Sequence, residues 1–104
     1  ARVARNHFSR IAHVHTKDVR AEIMLKSNSE DWSFLKSVLA GVYTVPGDGL
    51  IDFSSVFAQL KGYEGWVVVE AEQDPEKAHP LTYAKMGYGH LRAVLERAGF
   101  AVAA

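Results

Sequence analysis

The run Gly65–Glu72, GWVVVEAE, constrains this chain more than any other stretch. Three consecutive valines leave neither face of a strand polar. Such a strand belongs inside a sheet covered on both sides, which is the habit of parallel α/β architecture. A shorter apolar run, Ile11–His15 (IAHVH), has the length and β-branched content of a second buried strand. The polar TKDVR after it reads as an exit into a loop. About 50 residues separate the two runs, too many for a tight hairpin, so a right-handed parallel crossover is expected.

Helical patterns fill the space around these strands. Val3, Asn6 and His7 share a helical face at the start of the chain. In SNSEDWSFLKSVLAG, Ser27 and Glu30 have capping-box spacing, Trp32, Leu35, Val38 and Leu39 share a face, and Gly41 is a stop. Pro46, Gly47 and Gly49 punctuate a turn-rich link. Asp52 can cap a helix carrying the i, i+3, i+4, i+7 stripe Phe53, Val56, Phe57 and Leu60, which Gly62 closes. The last helix starts at Pro80, a residue suited to a first turn, and lines up Ala84, Tyr88, Leu91, Leu95 and Ala98. Gly87 and Gly89 inside it each cost about 1 kcal/mol against alanine, which points to close packing. The tail AGFAVAA is expected to fray.

Composition narrows the function classes. Of 104 residues 48% are hydrophobic and 23% charged, an ordinary globular balance. Twelve basic side chains against twelve acidic ones leave no electrostatic footprint for nucleic acid or an anionic membrane. Without cysteine there is neither a disulfide nor a thiolate metal site. No apolar run approaches the ~20 residues of a membrane span, and no basic-then-apolar segment opens the chain. A cytoplasmic location is expected.

Two constellations can carry chemistry. In HVHTKD, alternation puts His13 and His15 on one face, with Lys17 and Asp18 at the strand exit. Neutral imidazoles in that position are common metal ligands; they also occur as buried side chains bonded to backbone. In VVVEAEQD, Val68, Glu70 and Glu72 share a face opposite Val67, Val69 and Ala71. A carboxylate ending a buried strand requires an ion pair or a metal. Adjacent parallel strands would bring His15 and Glu70 side by side. An imidazole with carboxylate oxygens suits Mn, Co, Mg or Fe, with Zn a further candidate. TVPGDGLIDF lacks the spacing of a phosphate cradle and reads as a connecting turn. His7, His79 and His90 read as surface residues, and Trp32 and Trp66 as core aromatics.

HVHTKDVR, EDWSFLKSVLAGVYTVPGDGLIDF and GYEGWVVVEAEQDP resemble the C-terminal part of the inosose dehydratase family. That family belongs to the xylose isomerase-like TIM barrels. The likeness runs from about Arg10 to Gly99. It implies that residues 1–104 correspond to about the last two β/α units of a (β/α)8 barrel. It further implies a metal site of Glu, Asp, His and Glu on successive late strands. His15 and Glu70 match the last two, and the first two have no counterpart here. Glu70 would also be the catalytic acid or base, with Glu72 open as an alternative. His13, Lys17, Asp18 and Arg20 would be substrate contacts.

The implied activity is a lyase reaction, the metal-dependent dehydration of 2-keto-myo-inositol in inositol catabolism, with Mn or Co favoured. A sugar isomerase or epimerase would use the same ligands, and an inactive fragment is the third possibility. The partner expected is a cyclic polyol or ketose rather than nucleic acid. Open sheet edges lead us to expect that the isolated chain self-associates and is inactive.

Overall fold

The computed structural model describes residues 1–103; Ala104 lies outside them. The elements are α1 (Arg2–His7) with a 3-10 turn at Phe8–Arg10, β1 (Val14–Thr16), β2 (Asp18–Val19), α2 (Ala21–Ser29), α3 (Phe34–Ala40), β3 (Tyr43–Thr44), α4 (Phe53–Phe57), β4 (Val67–Val69) and α5 (Pro80–Arg97). The two runs expected as parallel strands do pair. β1 and β4 run parallel, with Val14, His15 and Thr16 opposite Val67, Val68 and Val69. β2 and β3 form a separate antiparallel pair, Asp18 with Thr44 and Val19 with Tyr43. Among the described residues these are two two-stranded sheets and no closed barrel.

The face of β1–β4 carrying Val14, Val67 and Val69 packs on the core. That core is Ala4, Phe53, Phe57, Leu60, Leu91, Val94 and Leu95, drawn from α1, α4 and its exit, and α5. Burying each large side chain there contributes roughly 1.5–3 kcal/mol. The stripe read in the sequence therefore forms the inner face of α4. Asp52 caps that helix as expected, accepting from the Ser55 amide at 3.2 Å and from the Ser55 hydroxyl. Gly87 of α5 is buried because a Cβ there would lie 2.7 Å from Val69 Cγ1 and 2.8 Å from Val45 Cβ. The close-packing expectation holds at that glycine. At Gly89 it fails, since nothing lies within 4 Å of an added Cβ.

Other expectations need correction. The stretch after TKDVR is a nine-residue helix, α2, that buries no side chain and so has a weak apolar signal. Ser27 is inside α2, bonding the Ser37 hydroxyl at 2.6 Å, so it is no cap. The cap of α3 is Ser33, which accepts from the Lys36 amide. Leu35 and Leu39 are exposed on α3 rather than core-facing. Trp66 is 76% exposed, because it precedes β4 and stands at the sheet margin. Trp32 is held between Lys36 and Lys26, with its ring 4.4 and 5.6 Å from the two ammonium groups. His79 caps α5, and half-buried His90 packs edge-on against Phe53. The tail folds back at least to Val102: Phe100 meets Phe57 edge-on at 6.1 Å. Among the described residues no helix is long and apolar enough to cross a membrane.

Candidate functional site at the ends of the parallel strands

The face of β1–β4 turned away from the core carries the charged residues. His13, His15 and Lys17 alternate onto it from β1, and Val68, Glu70 and Glu72 from β4. The pairing that sets this continues one residue beyond β4, where the Glu70 amide donates to the Thr16 carbonyl at 2.9 Å. Thr16, on the opposite face, is buried and bonds the Val68 carbonyl at 2.8 Å. The strand end is therefore rigid at the point where the charged groups begin.

Those groups form one chain of contacts. His15 Nδ1 lies 3.2 Å from Glu70 Oε2. Lys17 Nζ donates to Glu70 Oε1 at 3.0 Å and to Glu72 Oε2 at 2.7 Å. The Lys17 ammonium also sits 4.5 Å above the centroid of the Tyr43 ring. The His13 ring stands 5.1 Å from that of His15. Side-chain exposure is 55% for His15, 36% for Glu70, 26% for Lys17 and 38% for Glu72, so the cluster faces solvent. The bond from Lys17, and next that from His15, hold the Glu70 carboxyl below its ordinary value. Lys17 is held above its own ordinary value, chiefly by Glu72. At neutral pH the Glu70 carboxylate is therefore ionised and Lys17 is an ammonium, with the His15 ring and Glu72 beside them.

Asp18 and Arg20 do not join this cluster. Asp18 is fully buried, and its carboxylate accepts from the amides of Val19 (2.8 Å), Gly47 (3.1 Å) and Ile51 (3.0 Å). Arg20 donates to the Gly41 carbonyl, to Thr44 Oγ1 at 3.2 Å and to Asp48 Oδ2 at 2.8 Å. Thr44 donates in turn to Asp48 at 2.6 Å, and Gln73 reaches Thr44 at 3.3 Å. These bonds tie the turn Thr44–Ile51 to the exits of both strands. The turn is the connector expected from TVPGDGLIDF. Gly47 has φ +93° there, and its open side lies against His90.

Sequence reasoning missed Tyr43 and Asp48. Tyr43 lies in a link whose turn residues hid the short β3. Asp48 gave no periodic signal, because its partner is distant in the chain. As to a metal, the donor chemistry fits in kind: one imidazole and one carboxylate, without thiolate. It falls short in number, since such ions take about four or more ligands. Among the described residues no group of three or more His, Cys, Asp or Glu side chains gathers around a common point.

A comparison with known families decides the wider assignment. The family described as "Xylose isomerase-like TIM barrel" matches residues 1–94. The chain belongs to that family. Among curated proteins it is similar to the rhizopine catabolism protein MocC of Rhizobium meliloti, 54% identical over 96 residues, which are 90% of this chain and 30% of that protein. It is 60% identical over 80 residues to an inosose dehydratase of Halalkalibacterium halodurans, covering 75% of this chain and 26% of the relative. An inosose dehydratase of Salmonella typhimurium is 56% identical over 92 residues, 86% of this chain and 31% of the relative. The chain thus spans about a third or less of the length of these relatives. The resemblance read from HVHTKDVR and VVVEAEQDP is borne out. So is an α/β piece of this family, although the described residues close no barrel.

Proposed function

We propose that this chain supplies the late-strand part of the active site of an inositol-catabolism hydro-lyase, one that removes water from a 2-keto-inositol. The observation that carries the reading is the meeting of His15 and Glu70 on one solvent-facing sheet surface, at the ends of adjacent parallel strands. Strand C-terminal ends are where barrel enzymes of this architecture place their chemistry. The names of the similar proteins supply the substrate class.

In this reading His15 and Glu70 would hold a divalent ion, Mn or Co by preference. When bound, the ion supplies Lewis-acid stabilisation of negative charge on the substrate oxygen. The residues of the chain do the rest. Glu70, ionised at neutral pH, takes the proton from the carbon beside the ketone. The electron pair of that C–H bond forms an enolate. Its return expels the hydroxyl on the next carbon, which leaves as water with the proton from Glu70. His13 and Lys17 would contact substrate oxygens. Asp18 and Arg20, assigned to the substrate by resemblance, would act from beneath by holding the turn Thr44–Ile51 in place. The same residues would serve a sugar isomerase or epimerase, which a substrate screen distinguishes. The setting would be cytoplasmic. With two donors the 104-residue chain alone would be inactive, and its free strand edges would promote self-association.

The test is a graft. Residues 10–99 replace the matching stretch of the Salmonella typhimurium relative, and the product is assayed for dehydration of the keto-inositol with Mn or Co. Turnover is expected, with Glu70→Gln lowering kcat by about 10²–10⁴-fold. A folded graft inactive with every divalent ion would contradict the proposal.

A further inference from the structure

Packing anchors α3 only lightly. Of its seven residues, Ser37 and Val38 are the buried ones. Left-handed residues stand on both sides of it, Asp31 at φ +51° and Gly41 at φ +91°. Asp31 holds a conformation that residues other than glycine seldom adopt. A cavity of about 190 Å³ lies between the end of α3 and the segment 73–83, with Leu39, Gly41, Asp74 and Tyr83 in its lining. Close packing therefore does not set the distance between the helix and that segment.

Lys77 spans the gap. Its Nζ donates to the Leu39 carbonyl at 2.6 Å. That carbonyl is one of the orphan acceptors at a helix C-terminus, where the helix dipole favours a cation. Lys77 is itself placed by a turn: its amide and that of Ala78 donate to the Asp74 carbonyl at 3.0 and 2.9 Å, and Asp74 Oδ1 accepts from the Glu76 amide at 3.0 Å. This turn directly follows the β4 exit that carries Glu70 and Glu72. The other end of α3 reaches the candidate site. Phe34, its first residue, meets the Tyr43 ring at 6.1 Å, and Tyr43 lies 4.5 Å under the Lys17 ammonium. Phe34 is 62% exposed, so the core does not fix this contact; the position of α3 does.

The geometry points to Lys77 as a positioning residue for the site: by tying the C-terminal end of α3 to the turn after β4, it fixes Phe34 and hence holds Tyr43 beside Lys17. It bonds a backbone carbonyl and acts on the cluster through α3. The inference rests on the reading of that cluster as the substrate site.

The experiment compares the full chain with Lys77→Met, which keeps an apolar stem and loses the donor, and with Lys77→Arg, which keeps a donor. The amides of Gly41 and Val42 close the end of α3 on Val38 and Ser37. Their hydrogen exchange, followed by NMR, should be about fivefold faster in Lys77→Met. The Phe100 amide, bonded to Leu95 beyond α5, should exchange as in the parent, which shows the fold intact. Lys17 side-chain protons, shielded by the Tyr43 ring, should move toward their values in Tyr43→Leu, where the ring is gone. Lys77→Arg should restore exchange within about twofold, and the Lys17 signals with it. Unchanged exchange at Gly41 and Val42, Lys17 signals that stay at their parent values, or no restoration by arginine would overturn the inference. In the Salmonella typhimurium graft, Lys77→Met should raise KM about threefold with kcat within about twofold, because it displaces a substrate contact and leaves the reacting groups alone. A fall in kcat at unchanged KM would overturn it as well. If the graft with its native residues turns nothing over, the reading of the site fails, while exchange and the Lys17 signals still decide whether Lys77 holds Tyr43 beside Lys17.

Discussion

Lys17 and Asp18 are neighbours in the chain with opposite fates. Lys17 goes to the parallel sheet, where it joins a half-exposed cluster with Glu70, Glu72 and Tyr43. Asp18 goes to the antiparallel pair, where its carboxylate is fully buried on three backbone amides. Both are charged side chains at a strand exit. The difference lies in where the partners come from. Charges met by other side chains at the surface can be exchanged for a ligand. A charge met by buried backbone donors is fixed, because each released donor would stay unsatisfied. The first region is therefore the one able to bind, and the second is the frame that holds the turn Thr44–Ile51 beside it.

The comparison breaks most visibly at Asp18. Asp18→Ala strands three backbone donors and should lower unfolding stability by about 3 kcal/mol or more, measured by urea denaturation. A loss below about 1 kcal/mol would show that the turn holds itself. The glycines of α5 give the next effect. Gly87 wedges between Val69 of β4 and Val45 beside β3, so it links the two regions. Gly87→Ala should destabilise by roughly 1–2 kcal/mol, overpacking exceeding the gain in helix propensity. Gly89→Ala, facing open space on the same helix, should stabilise by about 0.5–1 kcal/mol. Equal effects at the two positions would refute the wedge.

Acid should reach the open cluster through Glu70. Its carboxyl sits below its ordinary value, so across the acid range the folded chain holds fewer protons there than the unfolded one. The stabilisation is present above the ordinary carboxylate range and is lost as pH falls through the folded value. Asp52, depressed chiefly by the Ser55 hydroxyl, adds in the same direction. Melting temperature should decline on acidification, and Glu70→Gln should flatten part of that decline. An unchanged decline in the variant would show that the Lys17 and His15 contacts contribute nothing. The smallest effect is expected at Glu72. As one member of a solvent-exposed ion pair, its replacement by Gln should change stability by less than about 1 kcal/mol. A larger loss would place it with the frame.

The parallel pairing, the α4 stripe, the Asp52 cap and the shared face of His13, His15, Glu70 and Glu72 were all legible in the sequence. Each is a short-period pattern, and burial on one face enforces it. α2 was not legible, because it buries nothing and so has no apolar stripe. Nor was β2–β3, two residues a side, whose strands are defined by the distant bonds of Asp18 and Arg20. The burial of Asp18 was hidden for the same reason: its partners are amides 29 and 33 residues away. Trp66 misled because a large aromatic is ordinarily inside, while this one stands outside the sheet margin.

The division between an exchangeable site and a fixed frame is tested most directly by mapping Mn²⁺ along the chain. Amide signals of the full chain are recorded as the ion is added. Broadening is expected to centre on residues 13–17 and 68–72 and to spare 44–51. Broadening centred on Asp48 and its turn, or spread evenly over the acidic residues, would contradict it.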